Sequence, residues 1–102
     1  MKKAKVYVQD TLAGILEETD ERKYIFRYAD DYIGTPVSLT LPTQKKIYTF
    51  DRFPSFFEGL LPEGPQLEAL LRTEKIDRND YFSQLITVGG DLIGDVSLKE
   101  CE

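Results

Sequence analysis

The sequence predicts an α+β domain: a small antiparallel sheet (meander plus returning strand) covered on one face by about three short helices. Three observations carry that expectation. Apolar and polar residues alternate strictly in the first part of the chain, as in Ala4-Val6-Val8 and Tyr24-Phe26-Tyr28. Helical spacing takes over from Phe53 and persists to Val88. A short alternating run from Asp95 to Leu98 returns after the diglycine Gly89-Gly90.

In the first strand Ala4, Val6 and Val8 alternate with Lys5, Tyr7 and Gln9. Asp10-Thr11 is a turn, and a second strand over 12–17 carries Leu12, Gly14 and Leu16 on one face. Past the polar turn Thr19-Asp20-Glu21, residues 23–28 form the clearest strand, with Tyr24, Phe26 and Tyr28 facing one way and Lys23, Ile25 and Arg27 the other. Short connections make these three a meander. Residues 29–36 are a loop marked by Asp30-Asp31, Gly34 and Pro36. Val37-Ser38-Leu39-Thr40-Leu41 alternates and is expected as a fourth strand ended by Pro42, and Ile47, Tyr48 and Phe50 as a short edge strand.

The chain is organised around the stretch from Phe53 to Gly64. Pro54 suits a first helical position, because its missing N–H would be unpaired there anyway. Phe53, Phe57, Leu60 and Leu61 then recur on one stripe, widened by Phe56, until Pro62 and Gly64 break the helix. A second helix is predicted over 65–75 with Leu67, Leu70 and Leu71 as its apolar stripe and a Glu68–Arg72 pair. Asp77 and Asp80 suggest a capped start for a third helix over 78–88, ended by Gly89-Gly90. Residues 99–102 are expected to fray.

The 102 residues suit one domain, spanning 1–102, large enough to bury a core. No uncharged apolar stretch reaches the length of a membrane span, and the lysine-rich start lacks the apolar segment of a signal peptide. With the single Cys101 no internal disulfide can form, and a free thiol suits a reducing, cytoplasmic setting. The net charge of −5 argues against direct nucleic-acid binding and suits a basic protein partner.

The chain has no histidine, so the commonest general base and nitrogen metal ligand are missing. Neither a Ser-His-Asp triad nor a cysteine–histidine pair can be built. Carboxylates are plentiful but none stands out as a catalytic pair. No enzyme activity, cofactor or metal is therefore expected. Gly89-Gly90-Asp91-Leu92-Ile93-Gly94 follows a helix instead of opening one, so it reads as a C-cap and turn and not as a phosphate loop. Tyr24, Phe26 and Tyr28 read as core under the helices more readily than as a base-stacking platform. The segment Leu61, Pro62, Glu63, Gly64, Pro65 and Gln66 is the candidate binding element: two prolines and a glycine stiffen a short exposed loop, and stiff loops lose little entropy on binding. On the residues alone, a plain helix–helix connection is as good a reading.

Three segments together resemble a known family. Val37-Ser38-Leu39-Thr40-Leu41-Pro42, Phe56-Phe57-Glu58-Gly59-Leu60-Leu61-Pro62-Glu63-Gly64, and Asp80-Tyr81-Phe82 with Leu85, Gly89, Asp91, Gly94 and Val96 are similar to the N-terminal subdomain of HipA-type serine/threonine kinases. Val6-Tyr7-Val8, Gly14 and Phe26–Tyr28 fit as well, so the resemblance covers nearly the whole chain.

That resemblance implies that the nucleotide site, catalytic aspartate and metal ligands of the kinase lie in a core that this sequence does not contain. It further implies a HipS-like antitoxin of a tripartite toxin–antitoxin system, which binds and inhibits a HipT-like serine/threonine kinase toxin. A HipB-like helix-turn-helix protein would join through the kinase and handle DNA. The alternative is a non-inhibitory structural subdomain or fragment of a HipA-type kinase.

Overall fold

The computed structural model of the chain describes residues 2–90 and 95–101. Within them run β1 (Lys2–Val8), β2 (Thr11–Glu18), β3 (Tyr24–Tyr28), β4 (Ile47–Phe50), α1 (Ser55–Glu58), α2 (Gly64–Glu74), α3 (Tyr81–Val88) and β5 (Val96–Glu100). The strands form one sheet in the order β4-β3-β2-β1-β5, antiparallel throughout. This is the predicted meander with a returning strand, which pairs beside the first.

Period-two alternation decides which side is buried. Ala4, Val6, Val8, Leu16, Phe26, Tyr28 and Leu98 point into the core. Phe53, Phe57, Phe82 and Leu85 cover them from the helical side. The aromatic contacts are mostly edge-on or tilted, as ring quadrupoles prefer: Tyr24 meets Phe53 at 5.2 Å and Phe26 meets Phe57 at 6.0 Å. Gly14 lies between Val6 and Tyr28, where an added Cβ would sit 2.3 Å from the Arg27 carbonyl oxygen.

Several expectations need correction. The register shifts at Val6/Tyr7, so Ala13 is buried while Leu12, expected to share a face with Gly14 and Leu16, pairs with Tyr7 and stays exposed. Residues 37–41 are not a strand. The Ser38 hydroxyl accepts from the Thr40 N–H at 3.2 Å and Leu41 N–H donates to the Ser38 carbonyl at 3.0 Å, a local turn that displaces ladder pairing. Leu39, expected inward, is 98% exposed at its apex. Val37 and Leu41 remain buried because the Tyr28 hydroxyl holds both: it accepts from Val37 N–H and donates to the Leu41 carbonyl. The place beside β3 goes instead to Ile47–Phe50, the expected edge strand.

The helix predicted over 53–61 is shorter: only Ser55–Glu58 is α-helical, and Leu60 and Leu61 continue it with tighter bonds to the Phe57 and Glu58 carbonyls. The third helix starts at Tyr81, with Asp80 itself as the N-cap. Glu68 pairs with Arg78 at 2.6 Å and not with Arg72. Lys99 and Glu100 do not fray but complete β5, and Cys101 N–H donates to the Lys3 carbonyl. Gly89 is the C-cap of α3, as expected, whereas Asp91–Gly94 lie outside the described residues.

Candidate partner-binding loop

The candidate loop grows out of α1. Phe57 is fully buried, and Phe56, Leu60 and Leu61 are half-buried against the core, which anchors the loop's first residue. Pro62 is half-buried, and Glu63, Gly64, Pro65 and Gln66 are exposed. The predicted six-residue loop is shorter than expected: Leu61, Pro62 and Glu63 connect the helices, whereas Gly64, Pro65 and Gln66 already form the first turn of α2.

Backbone chemistry makes the segment stiff. Glu63 is extended (φ −129°, ψ 163°) and serves as N-cap of α2 without a side-chain capping bond. Gly64 has φ +61°, the left-handed region where a Cβ is disfavoured, although an added Cβ would meet nothing within 4 Å. Pro65 then occupies the first turn of α2, where its fixed φ suits the helix and its missing N–H costs nothing. The Glu63 carboxylate and the Gln66 amide are exposed polar groups on this stiff segment.

Three cavities lie elsewhere: one of about 470 Å³ between Val8, Leu12, Tyr32 and Thr35, one of about 420 Å³ between Tyr7, Ser97 and Lys99, and one of about 370 Å³ between Leu41, Tyr48, Phe53 and Phe56. Among the described residues no cluster of histidine, cysteine and acidic side chains can hold a metal ion, and no helix is long and apolar enough to cross a membrane.

One surface feature was hidden from the sequence. Leu67, Leu70 and Leu71 read as a core stripe, yet α2 buries no residue and these leucines stay half-exposed. Spacing reveals which residues share a helix face but not whether a neighbour covers it. The stripe is continuous in sequence with the loop and lengthens the candidate surface by one helix.

Comparison with known proteins places this geometry. A family model described as the HipA N-terminal domain matches residues 4–99. An uncharacterized protein of Haemophilus influenzae is 31% identical over 100 residues, covering 98% of this chain and 93% of the relative. A solved structure titled as the N-terminal domain of HipA toxin superposes with a TM-score of 0.80 at 26% identity, covering 100% of this chain and 94% of that one. Because that family model spans almost the whole chain, the chain belongs to the HipA N-terminal domain family.

Proposed function

We propose that this domain acts in trans as an antitoxin: it binds a HipT-like serine/threonine kinase and inhibits it through the loop from Leu61 to Gln66. The observation that carries the reading is the loop itself. It is anchored at Leu61, stiffened by Pro62, Gly64 and Pro65, and exposed from Glu63 to Gln66. A segment of that kind enters a cleft with little loss of conformational entropy. The half-exposed Leu67, Leu70 and Leu71 at i, i+3 and i+4 add an apolar contact in the manner of a helix laid in a groove. The Haemophilus relative, at nearly the same length, supports a role for this domain as a protein by itself.

In this reading the domain docks on the kinase as the fused domain would, and the loop blocks the nucleotide or substrate cleft. The chain performs no catalysis and binds no cofactor; a HipB-like DNA-binding protein joins only through the kinase. Kinase autophosphorylation and growth arrest, with and without this protein, test the reading. Loss of both activities with a stable complex is expected, and Glu63→Ala, Gln66→Ala or a glycine/serine replacement of residues 62–66 should restore activity while the chain stays folded. A complex with undiminished kinase activity would make the domain a structural subdomain, and full inhibition by the folded loop variants would remove the loop from the mechanism.

A further inference from the structure

The face of the sheet turned away from α1 and α3 has an unusual charge pattern. Two cross-strand rows define it. In one, Lys99, Lys5, Ile15, Arg27 and Ile47 stand side by side; in the other, Lys3, Glu17, Ile25 and Thr49. Ile15 and Ile25 are half-buried in its middle, Ile47 is exposed at the β4 edge, and four cations share the face with one largely buried carboxylate. That carboxylate, Glu17, is already shared: it lies 3.7 Å from Lys3 Nζ and 3.5 Å from Arg27. Lys5 and Lys99 make no ion pair among the described residues.

Lys5 and Lys99 face each other directly across β1 and β5. Like charges in directly opposed positions destabilise a sheet. A chain of net charge −5 thus concentrates cations on one face at some cost to its own stability. An external carboxylate between the two ammonium groups would turn that repulsion into attraction. A second copy pairing face to face cannot supply it, because cations would meet cations. Nucleic acid fits poorly: Glu17 sits among the cations with a repelling charge, and the isoleucine centre offers no stacking platform.

We infer that this open sheet face is a second docking surface, shaped for a protein patch with an aliphatic centre and a carboxylate rim; resting on the reading above, that patch belongs to the same kinase partner. Leu60, just before the loop, lines a cleft with Val8, Asp95 and Val96, whose strand neighbours Tyr7 and Ser97 face the open side. Docking and blocking are then separate jobs: the sheet face supplies affinity and the loop supplies inhibition.

Calorimetric titration of the chain into the purified kinase at low salt separates the two. Lys5→Glu/Lys99→Glu should weaken binding by roughly tenfold or more while inhibition at saturation is kept. Lys99→Glu alone should raise the melting temperature and still weaken binding, a combination that a merely structural lysine would not give. The glycine/serine loop replacement should bind and fail to inhibit. Wild-type affinity in the double charge reversal would overturn the inference, as would duplex DNA binding that the double variant abolishes. Failure of the wild-type chain to bind the kinase would instead overturn the partner reading, and this inference with it.

Discussion

Phe57 has no exposed surface and packs its ring against Phe26 on the sheet and Phe56 beside it. Removing it opens a cavity between α1 and the sheet. Phe57→Ala is therefore expected to cost about 3–5 kcal/mol in urea unfolding, a large share of a small domain's stability. Phe56, Leu60 and Leu61 keep some exposure and should cost less on truncation. Asp80 makes a different kind of contribution. Partial burial works to raise its pKa, but the Ser83 hydroxyl and N–H, together with Lys2, outweigh that and hold it below its ordinary value of 3.8. The folded carboxyl binds its proton more weakly than the unfolded one, so its stabilisation is complete above the unfolded pKa and lost as pH falls through the folded one. Melting temperature should therefore fall as pH drops below about 4, and fall less steeply in Asp80→Asn, which keeps an N-capping side chain.

At the scale of elements, α2 stands apart. It ends on Lys75 with φ +55° and ψ +46°, a left-handed C-cap position that glycine normally fills, and Ile76 N–H closes back onto the Leu71 carbonyl. A lysine Cβ in that conformation is unfavourable by about 1 kcal/mol. Lys75→Gly should stabilise the chain by up to about 1 kcal/mol in urea unfolding, and a loss would mean that the lysine makes a compensating contact. The turn at Ser38 shows the limit of periodicity as a guide. Val-Ser-Leu-Thr-Leu alternates like a strand, but the Ser38 hydroxyl offers the backbone a local partner, and the Tyr28 hydroxyl clamps both ends of the turn. Alternation alone cannot report a hydrogen bond made by a side chain from another strand.

For the molecule as a whole, stability and the proposed functions rest on different groups. The core joins the inner sheet face to α1 and α3, whereas the exposed part of the loop, the α2 leucines and the open-face lysines contribute little to it. Glycine/serine replacement of residues 62–66 should thus lower denaturant stability only modestly, by about 1–2 kcal/mol, because the segment buries little but loses Pro62 and, in the first turn of α2, Pro65. A large destabilisation would show instead that the loop helps hold α1 in place.

By itself the sequence determined the fold class, three strands of the meander, the burial of Tyr24, Phe26 and Tyr28, and the helix break at Pro62 and Glu63 between α1 and α2. These follow from local periodicity, breakers and composition, which need no knowledge of neighbours. Tertiary structure decided what depends on pairing across the chain. The bulge that buries Ala13 and exposes Leu12, the turn at Leu39, the half-exposure of Leu67, Leu70 and Leu71, and the juxtaposition of Lys5 with Lys99 all arise between distant segments. A residue's own neighbours set its local conformation, but the strand or helix that comes to lie beside it sets its burial and its charge environment.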